Sequence, residues 1–442
     1  MTTPSDTPGD SRTPRDAPQP DVADAPPPIK TLLVLSIPAA LIGVVCALVL
    51  FGLDKLAEWL QNVVWTDIPK ATGIDPASGW WIFGVLTITG LAVGLALWLI
   101  PGHGGLDSAT TELSAPPPAL WVIPSIIVVV VLSLAGGVSL GPENPILAIN
   151  AGLIVGILAK VWKKLPSQLV GLIATAGTVG ALFGTPIAAA LILTGIVAAL
   201  KTGGALWDRL FLPLVAASVG AVVMDLLAHP VFALPLPAYT NIAALDLLSA
   251  VVIAISIAVV GVLAAWVFPL VHRTFRLLRN PVFYVTAGGV ILGILGAIGG
   301  PITLFKGVVQ MGQLVDERSS LTVEALIVIV LVKVVALLVS ASSGFRGGRI
   351  FPSVFIGVAA GLLANLLVPS VPLTLAVGAG VLGMVLAVSR DGWIALFIAA
   401  AVTNNLVMFP VLCIAVLPCW LLVSHAPKFI VKPAREAEPL PT

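Results

Sequence analysis

Residues 139–145 read Ser139-Leu140-Gly141-Pro142-Glu143-Asn144-Pro145 and run directly into an apolar stretch that ends at Leu158. A second stretch repeats the plan: Ser343-Gly344-Phe345-Arg346-Gly347-Gly348-Arg349-Ile350-Phe351-Pro352, followed by an apolar run to Leu367. Each sets a glycine-containing loop, then a proline, then a run of helical length with small residues inside it, Gly152 and Gly156 in the first and Gly357 and Gly361 in the second. Proline is favoured in the first turn of a helix, where its missing N–H would have no partner anyway. Both stretches therefore read as helix starts. They interrupt a chain that is otherwise strongly apolar.

The surrounding composition places those starts in a membrane. Of 442 residues, 58% are hydrophobic and only 10% are charged, against about a quarter charged in a soluble domain. Apolar runs such as Thr31–Gly52, Trp80–Leu99, Ala119–Gly137, Leu247–Val267 and Leu326–Val339 with its flanks approach the roughly 20 residues a span requires. They are continuous rather than alternating, which selects helices over a β-barrel. The expected fold is an all-α membrane protein of many tilted, partly broken transmembrane helices. Two interrupted segments in corresponding positions point to a duplicated transport architecture, with repeats at about residues 30–235 and 240–430. Residues 1–29 are rich in Pro and Asp, bury no core, and are expected to be disordered. Residues 431–442 form a short polar tail with no room for a soluble regulatory domain.

The formal net charge is +1, which suggests no nucleic acid partner. Lys160, Lys163, Lys164 and Lys201 fall in short gaps of the first half, and Arg273, Arg276 and Arg279 near the middle. By the positive-inside rule these gaps face the cytoplasm, so the expectation is a multi-pass protein of the cell membrane with both termini cytoplasmic. Cys46, Cys413 and Cys419 lie in apolar runs and read as core residues. The four histidines show no metal-ligand spacing, so no metal or other cofactor is expected. Neither a Ser/His nor an Asp/Asp pair occupies matching broken helices, and the chain does not read as an enzyme.

A helix that begins within the bilayer leaves unpaired N–H groups and a partial positive charge there, which is an anion site. Glycine lets the backbone approach an ion closely. Glu143 is the residue with most to say, because a carboxylate in an apolar stretch is costly and functional by default. At a helix start it can occupy the anion site itself and act as a gate, displaced by an ion or neutralised by a proton; the bland alternative is a capping acid at a membrane edge. Arg346 and Arg349 have two readings of equal weight: raising the local potential for an anion, or binding lipid headgroups and capping carbonyls.

At these residues the chain resembles the ClC family of voltage-gated chloride channels and proton-coupled chloride exchangers. The family's Gly-Lys/Arg-Glu-Gly-Pro loop is similar to Gly141-Pro142-Glu143-Asn144-Pro145, and its Gly-Gly-x-Phe-x-Pro loop to Gly347-Gly348-Arg349-Ile350-Phe351-Pro352. Ala181-Leu182-Phe183-Gly184-Thr185-Pro186 resembles the Ala-Phe-Asn-Ala-Pro segment, and Lys333 stands where the family often has Lys or Arg. The resemblance spans essentially the whole membrane region. It implies two inverted repeats with broken-helix loops meeting near the midplane, a homodimer with one pore per subunit, and chloride or another small anion as cargo in the lipid bilayer. The implied anion-binding set is Gly141, Pro142, Asn144, Gly347, Gly348, Arg349, Ile350 and Phe351. Gly104, Gly105 and Ser108 join it from a loop similar to the family's Gly-Ser-Gly-Ile-Pro.

Departures from the family bear on mechanism. Pro142 replaces the basic residue before the glutamate and supplies no amide. Asn144 replaces the following glycine, and Arg349 stands where an apolar residue is usual. The inner glutamate of the exchangers falls near Ile196, and no Asp or Glu occurs from Gly184 to Trp207. The family's central tyrosine has no match; Phe429 lies near its place. The expectation is passive or weakly coupled transport of chloride or another anion through a pore gated by Glu143. The alternatives are a proton/chloride antiporter with a non-standard relay, through Glu324 or bound water, and an unrelated secondary transporter of an organic solute built on residues such as Asn150, Asp225 and Asn404.

Overall fold

A computed structural model describes residues 28–111, 116–161, 166–199, 205–230 and 232–431. The two polar tails, but for Pro28, Ile29 and Val431, and Lys163, Lys164 and Lys201 lie outside the described residues, as does the side chain of Lys160. The described residues open on α1, Ile29–Asn62, which includes the last residue of the stretch expected to be disordered. Pro28 caps that start with φ −56°, the value its ring imposes. A π-helical turn at Val63–Asp67 and α2, Ile68–Thr72, continue it, and Gly73 closes it at φ 70°.

The rest of the first half comprises α3 (Gly79–Leu99), α4 (Ile123–Ala135), α5 (Glu143–Val161), α6 (Ser167–Phe183), α7 (Pro186–Ala199) and α8 (Leu206–Ala228). The second half comprises α9 (Ala244–Arg276), α10 (Pro281–Gly299), α11 (Val308–Asp316), α12 (Val323–Ser342), α13 (Ile350–Leu367), α14 (Leu373–Ser389), α15 (Gly392–Thr403) and α16 (Phe409–Ser424). Helix lengths recur in order: 34 and 33 residues for α1 and α9, 21 and 19 for α3 and α10, 19 and 18 for α5 and α13, and 17 each for α6 and α14. Packing recurs as well, with α1 against α6 and α8, and α9 against α14 and α16.

Length decides what each helix does in a bilayer. At 1.5 Å per residue, α1 and α9 are about 50 Å long, which exceeds the hydrocarbon thickness and requires tilt or protrusion. In contrast α15, with 12 residues, reaches about 18 Å, short of the hydrocarbon thickness. Close approach between helices relies on glycine, as expected where no hydrophobic force drives helices together. Gly90 of α3 lies against the backbone of Val285 and Gly289 of α10, and Gly357 and Gly361 of α13 lie against the backbone of α14 at Val381 and Val377. A methyl group at any of these would overlap main-chain atoms. The buried face of α14 runs unbroken from Thr374 to Val388, so this helix is the centre of the second half rather than a lipid-facing wall.

Candidate anion site

Proline and glycine break the chain at 141–145 and 347–352, and the fold brings the two breaks into contact. Gly141 N–H donates to Gly348 C=O at 2.9 Å, and Gly348 N–H donates back at 2.6 Å. This is the one isolated β-bridge among the described residues. From it α5 and α13 start two residues further on, at Glu143 and Ile350. Two helix N-termini thus open side by side inside a region of buried residues.

Glu143 is 1% exposed and crosses from the start of α5 to the start of α13. Its Oε1 accepts the Phe351 N–H at 2.8 Å, and the amides of Glu143 itself and of Ile350 also face the carboxylate. Oε2 is buried and meets no donor. The carboxylate lies against Gly141 and Gly348, where a Cβ on either would overlap it. These two glycines are therefore required by close approach and not by backbone angle. Gly347 spends its N–H on Ser108 Oγ at 2.9 Å, and Ser108 is buried. Pro142 offers only its carbonyl, which Ile146 N–H takes at 2.9 Å.

The loop at 101–111 enters the site by its carbonyl groups. Gly104 and Gly105 adopt φ 65° and 69°, which turns their C=O groups inward, and the Gly104 N–H is taken by Ser125 Oγ at 3.1 Å. Arg346, 9% exposed, donates to Gly104 C=O at 3.2 Å, Gly105 C=O at 3.4 Å and Gly344 C=O at 3.1 Å, and pairs with Asp107 at 3.2 Å. Arg276 pairs with the same carboxylate and lies over the Tyr284 ring at 4.3 Å. Arg349 donates to Phe429 C=O and, at 2.9 Å, to Thr111 C=O. Both arginines hold backbone carbonyls.

On the far side of Phe351, Lys306 sits 6.0 Å over its ring and 3.8 Å from Asp54, close enough for its charge to act on the Glu143 carboxylate. A cation from the turn after α10 thus stands near the glutamate in place of the basic residue that Pro142 lacks; nothing local to Lys306 in the sequence signals this. Lys333 is fully buried and donates to the carbonyls of Thr303 (2.9 Å), Leu304 (3.1 Å) and Phe305 (2.7 Å). It shapes the turn that carries Lys306.

The Phe351 ring joins Phe183, Phe232 and Phe397. It stacks on Phe232 at 5.7 Å and on Phe183 at 6.1 Å, while Phe397 meets Phe183 edge-on at 5.8 Å. Between them remains a cavity of only about 10 Å³, at the lower limit for one water. Two larger cavities meet at Asn144. One, of about 370 Å³, extends past Arg349, Ile350, Ile192 and Ile196 to Arg390, Asp391, Lys428 and Phe429. The other, of about 540 Å³, lies between the 102–105 loop, Pro116–Pro118 and the Leu147–Ala151 face of α5. Ile196, where an exchanger's inner glutamate is expected, lines the first cavity. Glu324 is exposed at the first turn of α12, and Asn150 is tied to Cys46 C=O and Thr178 Oγ1. Sequence reasoning overlooked Asp107, Lys306, Arg390 and Asp391. Only Asp107 carried a signal, as an acid inside a glycine-rich break.

Residues 88–423 match the family profile described as voltage gated chloride channel. The putative ion-transport protein YfeO of Escherichia coli O1:K1 / APEC is 45% identical over 413 residues, which cover 93% of this chain and 98% of the relative. YfeO of Shigella boydii serotype 4 (strain Sb227) matches with the same identity and coverage. Among solved structures, a CLC-type fluoride/proton antiporter superposes with a TM-score of 0.71 at 18% identity, covering 91% of this chain and 98% of that one. A slow cyanobacterial Cl−/H+ antiporter superposes with a TM-score of 0.73 at 16% identity, covering 89% and 96%. At such identities the superpositions establish a shared fold.

Proposed function

This chain belongs to the voltage gated chloride channel family, and from that premise we propose that it is a passive anion pathway across the cell membrane, gated by Glu143. One observation carries the reading: the Glu143 carboxylate, from one half of the chain, occupies backbone amides at a helix start of the other half. Those amides are what an anion would seek. The carboxylate and a chloride ion compete for one place, and Glu143 leaves it when protonated or displaced. Relatives that carry the name of ion-transport protein support transport over catalysis.

Passive rather than coupled transport is supported by the path inward from Glu143. Among the described residues lining the 370 Å³ cavity, the one carboxylate is Asp391, and its Oδ1 is committed to the N–H groups of Trp393 and Ile394 at 2.9 and 3.0 Å. The phenylalanine cluster behind Phe351 has little room for a water chain. Arg276 and Val431 both meet the 101–111 loop, at Asp107 and Ala109, which supports reading the Arg390–Lys428 mouth as cytoplasmic, on the side of Arg273, Arg276 and Arg279. Homodimerisation, implied by the family, is part of this reading; a monomeric mass in gentle detergent would remove it.

The test is the reversal potential of the purified protein in liposomes under opposed chloride and proton gradients. A potential set by chloride alone is expected, unchanged in Asp391→Asn. A potential that follows the proton gradient sinks the passive reading, and its loss in Asp391→Asn would identify the relay.

A further inference from the structure

Helix α9 carries no Asp, Glu, Lys or Arg between Asp246 and Arg273. At 1.5 Å per residue these two lie about 40 Å apart along the helix, which is about the thickness of a bilayer with its headgroups. Asp246 is buried and accepts the Tyr239 O–H at 2.7 Å; Arg273 is exposed. Arg273 falls in a stripe at helical spacing, Leu263, Trp266, Leu270, Arg273 and Leu277, in which every apolar member is more than half exposed. The opposite face of α9 is the packed one: Ala264, Ala265, Phe268, His272 and Phe275 are buried, and Arg276 turns to Asp107. The stripe therefore faces hydrocarbon, and Arg273 marks the depth at which it reaches the lipid phosphates. Past the helix end, Arg279 lies exposed in the turn to α10, with left-handed backbone, φ 53°. Neither guanidinium meets an acceptor among the described residues. A guanidinium is always charged and takes two phosphate oxygens at once, and at this depth the phosphates on offer are those of the membrane.

By the positive-inside rule this end of α9 is cytoplasmic, the side on which anionic lipids set a negative surface potential. We propose that Arg273 and Arg279 hold the headgroup of an anionic phospholipid of that leaflet, with an acyl chain laid along Trp266 and Leu270. A zwitterionic lipid offers the same phosphate beside a fixed cation, which two arginines repel, so the site selects anionic headgroups. It needs neither Glu143 nor a transported anion.

Binding is tested by native mass spectrometry of the full chain in detergent micelles, offered phosphatidylglycerol, phosphatidylcholine or the soluble headgroup glycerol phosphate. The wild type is expected to retain phosphatidylglycerol in preference to phosphatidylcholine, and to retain glycerol phosphate far less than either. Arg273→Gln and Arg279→Gln are each expected to weaken retention of phosphatidylglycerol by about fivefold. Both substitutions fall on exposed side chains without protein partners. Equal retention of the two lipids by the wild type overturns the proposal without recourse to any variant. A loss of less than about threefold in the double variant overturns it as well, by assigning the preference to other cations. Glycerol phosphate held as tightly as the lipid would remove the apolar stripe from the site and the lipid with it. A double variant that loses a dimer rather than a lipid would give this face to a second copy of the chain, which also overturns the proposal.

Discussion

Gly141 and Gly348 exchange both of their backbone hydrogen bonds, at 2.9 and 2.6 Å, across the junction of the two halves of the chain. The bridge sets the register of two helix starts, since each glycine lies two residues before its helix. Because the starts are in register, the side chain of Glu143 reaches the amide of Phe351 while its own main chain turns into α5. One half supplies the anion-like group and the other supplies the donors. A one-residue slip would move both glycines away from the carboxylate they admit.

Neutralising Glu143 tests the gate directly. Glu143→Gln and Glu143→Ala are expected to raise chloride efflux from liposomes severalfold at neutral pH and to abolish the stimulation by acid expected of the wild type, since protonation releases the carboxylate from the amides. Stopped-flow efflux measured across a pH series reads both effects. Unchanged rate and unchanged pH dependence in both variants would remove Glu143 from the gate.

Gly141→Ala isolates the space the carboxylate needs. The atoms nearest to a Cβ at this position are the three terminal atoms of Glu143. The methyl group is expected to push the carboxylate off the Phe351 amide, giving a flux close to that of Glu143→Ala. In the double variant Gly141→Ala/Glu143→Ala the added effect should vanish, because the clash is gone. Additive effects in this cycle, measured by the same efflux assay, would mean that Gly141 acts through the backbone instead.

Lys333→Met leaves the carbonyls of Thr303, Leu304 and Phe305 without their shared donor in a buried turn. A loss of about 2–4 kcal/mol is expected from the unmet acceptors. The unfolding midpoint in detergent should drop by several degrees. Flux should fall as well, because the same turn positions Lys306 beside Phe351.

Asp107→Asn removes the charge that holds Arg346 and Arg276 together. Arg346 then stays buried without its counter-ion, at an expected cost of about 3 kcal/mol. Ser108, the next residue, should lose its hold on the Gly347 amide. The expected result is a lower unfolding midpoint together with reduced efflux; an unaltered midpoint would show that the glycine carbonyls alone suffice for Arg346.

The parts legible in the sequence are those whose chemistry is local. Proline and glycine at 141–145 and 347–352 fix where α5 and α13 start, and Glu143 announces itself as a charge in an apolar run. The contacts that complete the site are not local. Arg346 meets Gly104 across 242 residues, and nothing near either residue forecasts the pairing. Gly104 and Gly105 join the anion-binding set by resemblance, yet their carbonyls face Arg346. Arg349 reads in sequence as raising the potential for an anion or as binding headgroups or capping carbonyls, and the Phe429 carbonyl it holds lies 80 residues away. Lys306 lies outside every motif and reaches the site only through the turn that Lys333 organises.

The wall of the inner cavity joins early and late parts of the chain. Val431 N–H donates to Ala109 C=O at 2.8 Å, and Arg349 grips Phe429 and Thr111 at once. During synthesis, residue 109 is in place long before residue 429 leaves the ribosome. Until then Arg349 lacks one of its acceptors and the cavity stands open on that side. A partly made chain therefore lacks the wall that Phe429 and Val431 complete.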